Sequence, residues 1–214
     1  MLKNQTEHAY QYIKERILNG TFKPAQKLVE TQLAELIGVN RNTIKKALLL
    51  LQQDHLVHIE NNKGASIKSY SLEEVIDQLE IIEVLEGLVA KNAASNIEDS
   101  ELDELDSIIH QMEQSIREDK IEAFVTLFHE FHSVIYRAAK NRQAVELVNA
   151  IRMPMRRFQF RTVLLPGRKH ESLAEKRRVF DALKNHDPVG AEDAIRSEMA
   201  HFRDVIKQNY YLLF

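Results

Sequence analysis

Only six glycines and four prolines are spread over 214 residues, and that scarcity constrains the fold more than any other feature. A chain of average composition would carry about 15 and about 11. Tight turns and strand corners depend on these residues, so the count argues against a turn-rich sandwich or barrel and for long helices with short connections. Hydrophobic residues at 44% supply a core, and charged residues at 29% rule out a membrane protein. No stretch reaches the roughly 18 uncharged apolar residues of a spanning helix. The opening MLKNQTEHAY lacks the apolar core of a signal peptide. With no cysteine there is neither a disulfide scaffold nor a thiolate metal site, which fits a cytoplasmic protein.

Apolar spacing predicts helices over 6–19, 30–37 and 41–53, then short β-type runs at 56–59 and 65–67 with Asn61, Asn62 and Gly64 at the hairpin tip. Beyond residue 71 the pattern is helical throughout, in blocks at 72–95, 99–118, 121–139, 142–165, 169–185 and 188–211. Ser71 with Glu74 has the form of a capping box, and Asp187-Pro188 that of an N-cap followed by a first-turn proline. The division is therefore a domain over 1–68, a linker over 69–74 and an all-helical domain over 75–214. The fold class is mostly α, with a helix-turn-helix and small β-hairpin first and a helical bundle behind it. Residues 1–70 carry 10 Lys and Arg against 6 Asp and Glu, whereas 71–214 carry 19 against 26. A basic first third on an acidic remainder is the asymmetry of a chain whose one end meets nucleic acid.

The segment 30–49, ETQLAELIGVNRNTIKKALL, meets the demands of two helices crossing at a sharp turn. Ala34 is small where the helices touch, Gly38 tolerates a left-handed backbone, and Leu33, Ile37, Val39, Ile44 and Ala47 are apolar at the inward positions. The second helix then offers Arg41, Asn42, Thr43, Lys45 and Lys46 in its first two turns, where side chains reach base edges and phosphates in a major groove. The bland reading is a helical hairpin with a solvated basic face. Thr31, Asn40, Lys63 and Gly64 complete the expected DNA-contacting set.

The N-terminal segment resembles the winged helix of GntR-type bacterial transcription regulators. The resemblance rests on Tyr12-Ile13, Ile17-Leu18, Gly20, Leu28, Glu30, Leu33-Ala34, Val39-Asn40-Arg41, Ile44-Lys45, Ala47-Leu48 and the wing at Lys63-Gly64. Asn40 replaces a usual Ser, Lys45 a usual Arg, Lys46 a frequent Glu and His55 a common Gly. The rest resembles the FCD ligand-binding half of the FadR subgroup, through Leu85-Glu86-Gly87, Phe131-His132, Ile135, Ala138-Ala139, Asn141, Ala182-Leu183, Asp187 and Ala191. The resemblance implies a DNA-binding regulator, a repressor by analogy, with a homodimer on an inverted-repeat operator and a small-molecule effector in the bundle. It implies no enzyme and no membrane partner.

In that subgroup an Asp and three His commonly hold a divalent metal. Here only His132 matches. Phe128 replaces the Asp, Lys176 and Glu198 replace the other two His, and Ile82 stands where an effector-binding Arg is frequent. No metal is therefore expected, with His132, Glu198 and His129 the residual candidates, and Lys176 and Glu198 are expected to form an ion pair in its place. The expected effector pocket comprises Ile82, Phe128, His132, Arg152, Lys176 and Glu198, and its ligand is an amphipathic acid whose carboxylate approaches Lys176. Arg152, Arg156, Arg157 and Arg161 lie on one helix, where a solvated or dimer-facing stripe is the commoner outcome. Two other classes remain open on the residues: a metal-dependent helical hydrolase using His129, Glu130 and His132, and a helical protein-interaction module.

Overall fold

The computed structural model describes residues 2–60 and 64–213, and the chain divides into two compact units. One runs to Ser71 and includes Arg152–Arg157; the other comprises Leu72–Ile151 and Phe158–Leu213. The sequence division places 152–157 with the helical domain, so these residues group differently from that expectation.

In the first unit, α1 (Leu2–Leu18), α2 (Glu30–Ile37) and α3 (Arg41–Gln53) accompany three short strands, β1 (Lys27–Leu28), β2 (Val57–Glu60) and β3 (Gly64–Ile67). The sheet order is β1-β3-β2, antiparallel throughout, with Val57 opposite Ile67 and Lys27 opposite Ser66. The hairpin thus carries a third strand that two residues of sequence do not announce. Its tip, with Asn61, Asn62 and Lys63, lies outside the described residues. Ala9, Ile13 and Ile17 of α1 meet Ile44, Ala47, Leu48 and Leu51 of α3, and Leu28, Val57 and Ile67 close the core from the sheet. Burying each such side chain contributes roughly 1.5–3 kcal/mol. Tyr10 of α1 donates to Asp54 just after α3, and Lys14 reaches both, at 2.6 Å and 3.2 Å. Burial, then that bond to Asp54, pushes the Tyr10 phenol above its usual range.

The second unit is built of α4 (Leu72–Asn96), α5 (Asp99–Arg117), α6 (Ile121–Ala138), α7 (Arg142–Val163), α8 (Arg168–Lys184) and α9 (Pro188–Leu213). Because α4 starts at Leu72, the last three residues of the expected linker 69–74 are already helical. The long pair α4 and α9 run against each other, α5 packs on α6 and α8, and α8 on α9. Polar residues set several ends. The Asn141 side chain accepts the Ala144 N–H at 3.1 Å, and the Asp187 carboxylate accepts the Gly190 N–H at 3.0 Å, two residues past Pro188. The start of α5 adds a cap that the sequence reading missed, in which Glu101 accepts from the Glu98 N–H at 3.1 Å.

Candidate functional site

Gly38 lies at φ +76°, and both its N–H and that of Val39 donate to the Ala34 carbonyl at 3.0 Å. This left-handed exit turns the chain within two residues, so α3 starts at Arg41 with a fixed outward face. Arg41 and Lys45 fall four apart on it, as do Asn42 and Lys46, and all four are exposed, while Ile44, Ala47 and Leu48 are buried. Thr31 is exposed on α2, and Gly64 is exposed at the start of β3 with φ +88°. Lys63 is outside the described residues.

Two members of the expected contact set have other work. Thr43 is 2% exposed, because it shares the inward face of α3 with Ile44 and Ala47. Its N–H and Oγ1 both donate to the Asn40 amide oxygen, at 2.9 Å and 3.1 Å. Thr43 therefore leaves the DNA-contacting set as a correction, and the Asn40 oxygen is committed to capping α3. Arg41 is oriented from α2. Its Nε donates to Glu30 Oε2 at 2.6 Å, which leaves the two terminal nitrogens as the fork that suits a guanine edge.

The second constellation lies inside the helical unit. Lys176 of α8 is fully buried, and its Nζ lies 2.5 Å from Glu198 Oε1 of α9 and 2.8 Å from His132 Nε2 of α6. The Phe128 ring faces the same ammonium, 3.9 Å from its centroid. His132 Nδ1 stands 3.7 Å from Glu86 Oε2 on α4, and Glu86 Oε1 accepts from the Tyr136 hydroxyl at 2.5 Å. Burial pushes the Glu198 carboxyl up, but the Lys176 ammonium beside it, joined by His132, outweighs burial and holds it well below the usual carboxylate range.

This donor set does not fit a divalent ion. The space between His132 Nε2 and Glu198 Oε1 is filled by an ammonium, which repels a second cation, and an aromatic ring faces it. Among the described residues no group of three or more His, Cys, Asp and Glu could hold a metal. His129 meets the edge of Phe128 and His201 is bound to Glu175 at 2.6 Å. The hydrolase reading is also poorly served. Glu130 is exposed while His132 is buried, because residues two apart point to opposite sides of a helix.

Beside this centre is a small cavity of about 10 Å³, room for about one water. Of the expected pocket residues only Phe128 and Glu198 line it. Ile82, His132 and Lys176 are buried but not on its wall, and Arg152 is buried in the segment that groups with the first unit. The Lys176 ammonium is enclosed by His132, Glu198 and Phe128 and does not stand on this wall. The wall instead exposes Arg168 and Ser172 of α8, with Gln159, Thr162, Met199 and Phe202. Sequence reasoning missed Arg168, Ser172, Glu175 and Glu86.

Two family models match the sequence: bacterial regulatory proteins, gntR family, over residues 5–67, and the FCD domain over residues 77–201. The chain belongs to the GntR family. This GntR-family protein is 28% identical to YdhC, an HTH-type transcriptional regulator of Bacillus subtilis, over 90% of this chain and 85% of that protein. It is 21% identical to the HTH-type transcriptional repressor RspR of Escherichia coli, over 94% and 89%. The solved structure of E. coli McbR/YncC superposes with a TM-score of 0.82 at 19% identity, covering 96% of this chain and 98% of that one. The protein is thus a helix-turn-helix transcriptional regulator with an FCD effector-binding domain, in a family of regulators rather than enzymes. Among the described residues no helix is long and apolar enough to cross a membrane.

Proposed function

We propose that this regulator is a cytoplasmic repressor that binds a short inverted-repeat operator as a homodimer and responds to a small molecule in its helical domain. In this reading residues 1–68 read DNA, 69–74 connect, and 75–214 sense and dimerise. The observation that carries it is the outward row of Arg41, Asn42, Lys45 and Lys46 on a helix whose entry angle is fixed at Gly38. Arg41, oriented by Glu30, reads a base, and the lysines supply charge toward phosphates. Repression is supported by the name of the E. coli relative, RspR. Dimerisation is supported by the exposed apolar row Ile81, Val84 and Leu88 on α4, a stripe that a lone domain leaves in water. The effector acts by preferring one arrangement of the two helical domains, and so one separation of the two reading helices.

Selection of bound fragments from random DNA, followed by salt titration of the best fragment, tests this. The expected result is an inverted repeat bound by two chains, with affinity falling steeply as salt rises. Arg41→Ala should cost roughly 1–3 kcal/mol and relax one base position per half-site. An asymmetric site bound by one chain, or unchanged specificity in Arg41→Ala, overturns the reading.

A further inference from the structure

Three residues on the wall of the cavity beside Lys176 each carry a buried polar atom that lacks a hydrogen-bond partner among the described residues. These atoms are Arg168 Nη1, Ser172 Oγ and Glu198 Oε2. None of the three residues is more than 5% exposed. A buried polar atom without a partner is costly and in native proteins is matched by water or ligand. Here one guanidinium nitrogen, one hydroxyl and one carboxylate oxygen are left over at the same wall.

The rest of each group is firmly held. Arg168 Nη2 donates to Glu175 Oε2 at 2.9 Å, and the other Glu175 oxygen is bonded to His201 Nδ1 at 2.6 Å. Glu198 Oε1 is taken by Lys176 at 2.5 Å. The spare atoms are therefore presented in fixed directions, as recognition requires. Phe128, Val163, Met199 and Phe202 supply the apolar part of the wall.

The charges restrict what can enter. Arg168 and Lys176 stand against Glu175, Glu198, Glu86 and the half-exposed Glu171, whose Oε2 is 4.0 Å from Arg168 Nη1, with His132 and His201 among them, so carboxylates outnumber the fixed cations and a lone cation or anion completes only part of the wall. A simple acid would satisfy Arg168 and Ser172 but set its charge against Glu198 Oε2. A simple amine would satisfy Glu198 and leave Arg168 Nη1 and Ser172 Oγ without a hydrogen bond. We propose that this cavity recognises a small zwitterion of the α-amino-acid type, its carboxylate taken by Arg168 Nη1 and Ser172 Oγ, its ammonium by Glu198 Oε2, and its apolar side group by Phe128, Met199 and Phe202. The resting cavity has room for about one water, so the ligand enters by parting the wall between the end of α7 and the start of α8, which are joined through Gly167 at φ +81°. This assignment rests on the reading that the helical domain senses a small molecule.

The test is thermal melting of the full chain with each of the twenty common α-amino acids, and with matched triads such as leucine, 3-methylbutylamine and 4-methylpentanoate. At about five times Kd the right zwitterion should raise the midpoint by about 2–4 °C, while its amine and acid fragments do not. Ser172→Ala removes a hydroxyl that has no hydrogen-bond partner among the described residues, so it should leave the unliganded midpoint unchanged or higher and weaken the ligand about tenfold. If no amino acid shifts the midpoint, or the acid alone does as well, the zwitterion assignment is wrong. If Ser172→Ala changes the unliganded midpoint but not the ligand response, the cavity holds water only. A separate arm measures operator retention with the low-mass filtrate of a cell extract. Filtrate activity without an amino-acid response leaves the sensing role standing and removes this ligand class; inactivity in both arms removes both.

Discussion

Lys176→Met tests the buried polar centre most directly, because it removes the ammonium and keeps the volume. Glu198 Oε1 would then face only His132 Nε2, at 3.6 Å, and Oε2 has no partner among the described residues. A carboxylate so placed must gain a proton, or His132 must. Protonating Glu198 at pH 7 from its ordinary 4.5 costs about 3.4 kcal/mol at 1.36 kcal/mol per unit. Protonating His132, from an ordinary value near 6.5, costs about 0.7 kcal/mol plus burial of the imidazolium beside Phe128, with Glu86 Oε2 at 3.7 Å as a second counter-charge. Both routes take up a proton, so the sign is fixed. In the wild type the folded Glu198 titrates below its unfolded value, and that stabilisation is present above about pH 4.5 and lost as pH falls through the lower folded value. In the variant the folded protein holds one proton more, and its deficit grows as pH rises. The stability gap should widen by roughly 2–4 kcal/mol between pH 5 and pH 8, or about 4–16 °C in melting midpoint. Scanning calorimetry of the helical transition at both pH values measures it. The double variant Lys176→Met, Glu198→Met should recover most of the loss and flatten the pH dependence. A gap that stays constant from pH 5 to pH 8 refutes the buried-pair argument.

Two further outcomes follow from single positions. His55 has φ +58° and its carbonyl accepts the Tyr70 hydroxyl at 3.1 Å; His55→Gly keeps that carbonyl, relieves the left-handed strain and should stabilise the first unit by about 0.5–1 kcal/mol in urea unfolding, and a loss of stability would show that the imidazole contributes more than the strain. Wild-type protein purified without chelator should carry no stoichiometric zinc, nickel or manganese, whereas Lys176→His, which puts a second imidazole beside His132 and the Glu198 carboxylate, should take up one zinc per chain by elemental analysis. One metal per wild-type chain, lost in His132→Ala, would overturn the description of the ammonium as the centre's resident cation.

The reading helix was legible in the sequence because each demand was local. Gly38 allows the turn, Ala34 allows the close approach, and the apolar positions of α3 recur at three and four residues. Thr43 was misplaced because a small polar residue fits either face, and only its bonds to Asn40 show it inside. The two-residue strand β1 has no periodicity to detect and exists through its pairing with β3. In the helical unit Asn141 and Pro188 marked ends that local chemistry sets. Its polar interior was mostly hidden. On α8, Arg168, Ser172, Glu175 and Lys176 share the inward side with Val179 and Leu183, yet that polar half reads in sequence as a solvated stripe. The family resemblance points to Lys176 and Glu198 as an ion pair, which the 2.5 Å contact matches, whereas Arg168, Ser172 and Glu175 emerge only from the packing. Glu86 did carry a signal, since it interrupts the buried row Leu79, Ile82, Val89 and Ala90, where a charge needs a partner.

Glu198 connects the two halves of this interior. One oxygen fixes the internal ammonium and the other has no hydrogen-bond partner among the described residues, so whatever donates to the second oxygen also draws on the charge that holds the first. An ammonium tethered to α8 cannot dissociate as a metal ion can, and the centre therefore stays assembled whether or not the cavity is filled. In the proposed reading, sensing is confined to the adjoining wall, where Arg168 and Ser172 stand at the first two turns of α8. A ligand that completes their hydrogen bonds stabilises one placement of that helix against α9, while the buried pair keeps the two helices in register. Variants at Lys176 should thus act mainly on the stability of the domain, and variants at Ser172 mainly on its response. That separation gives the two positions different readouts in the same melting experiment.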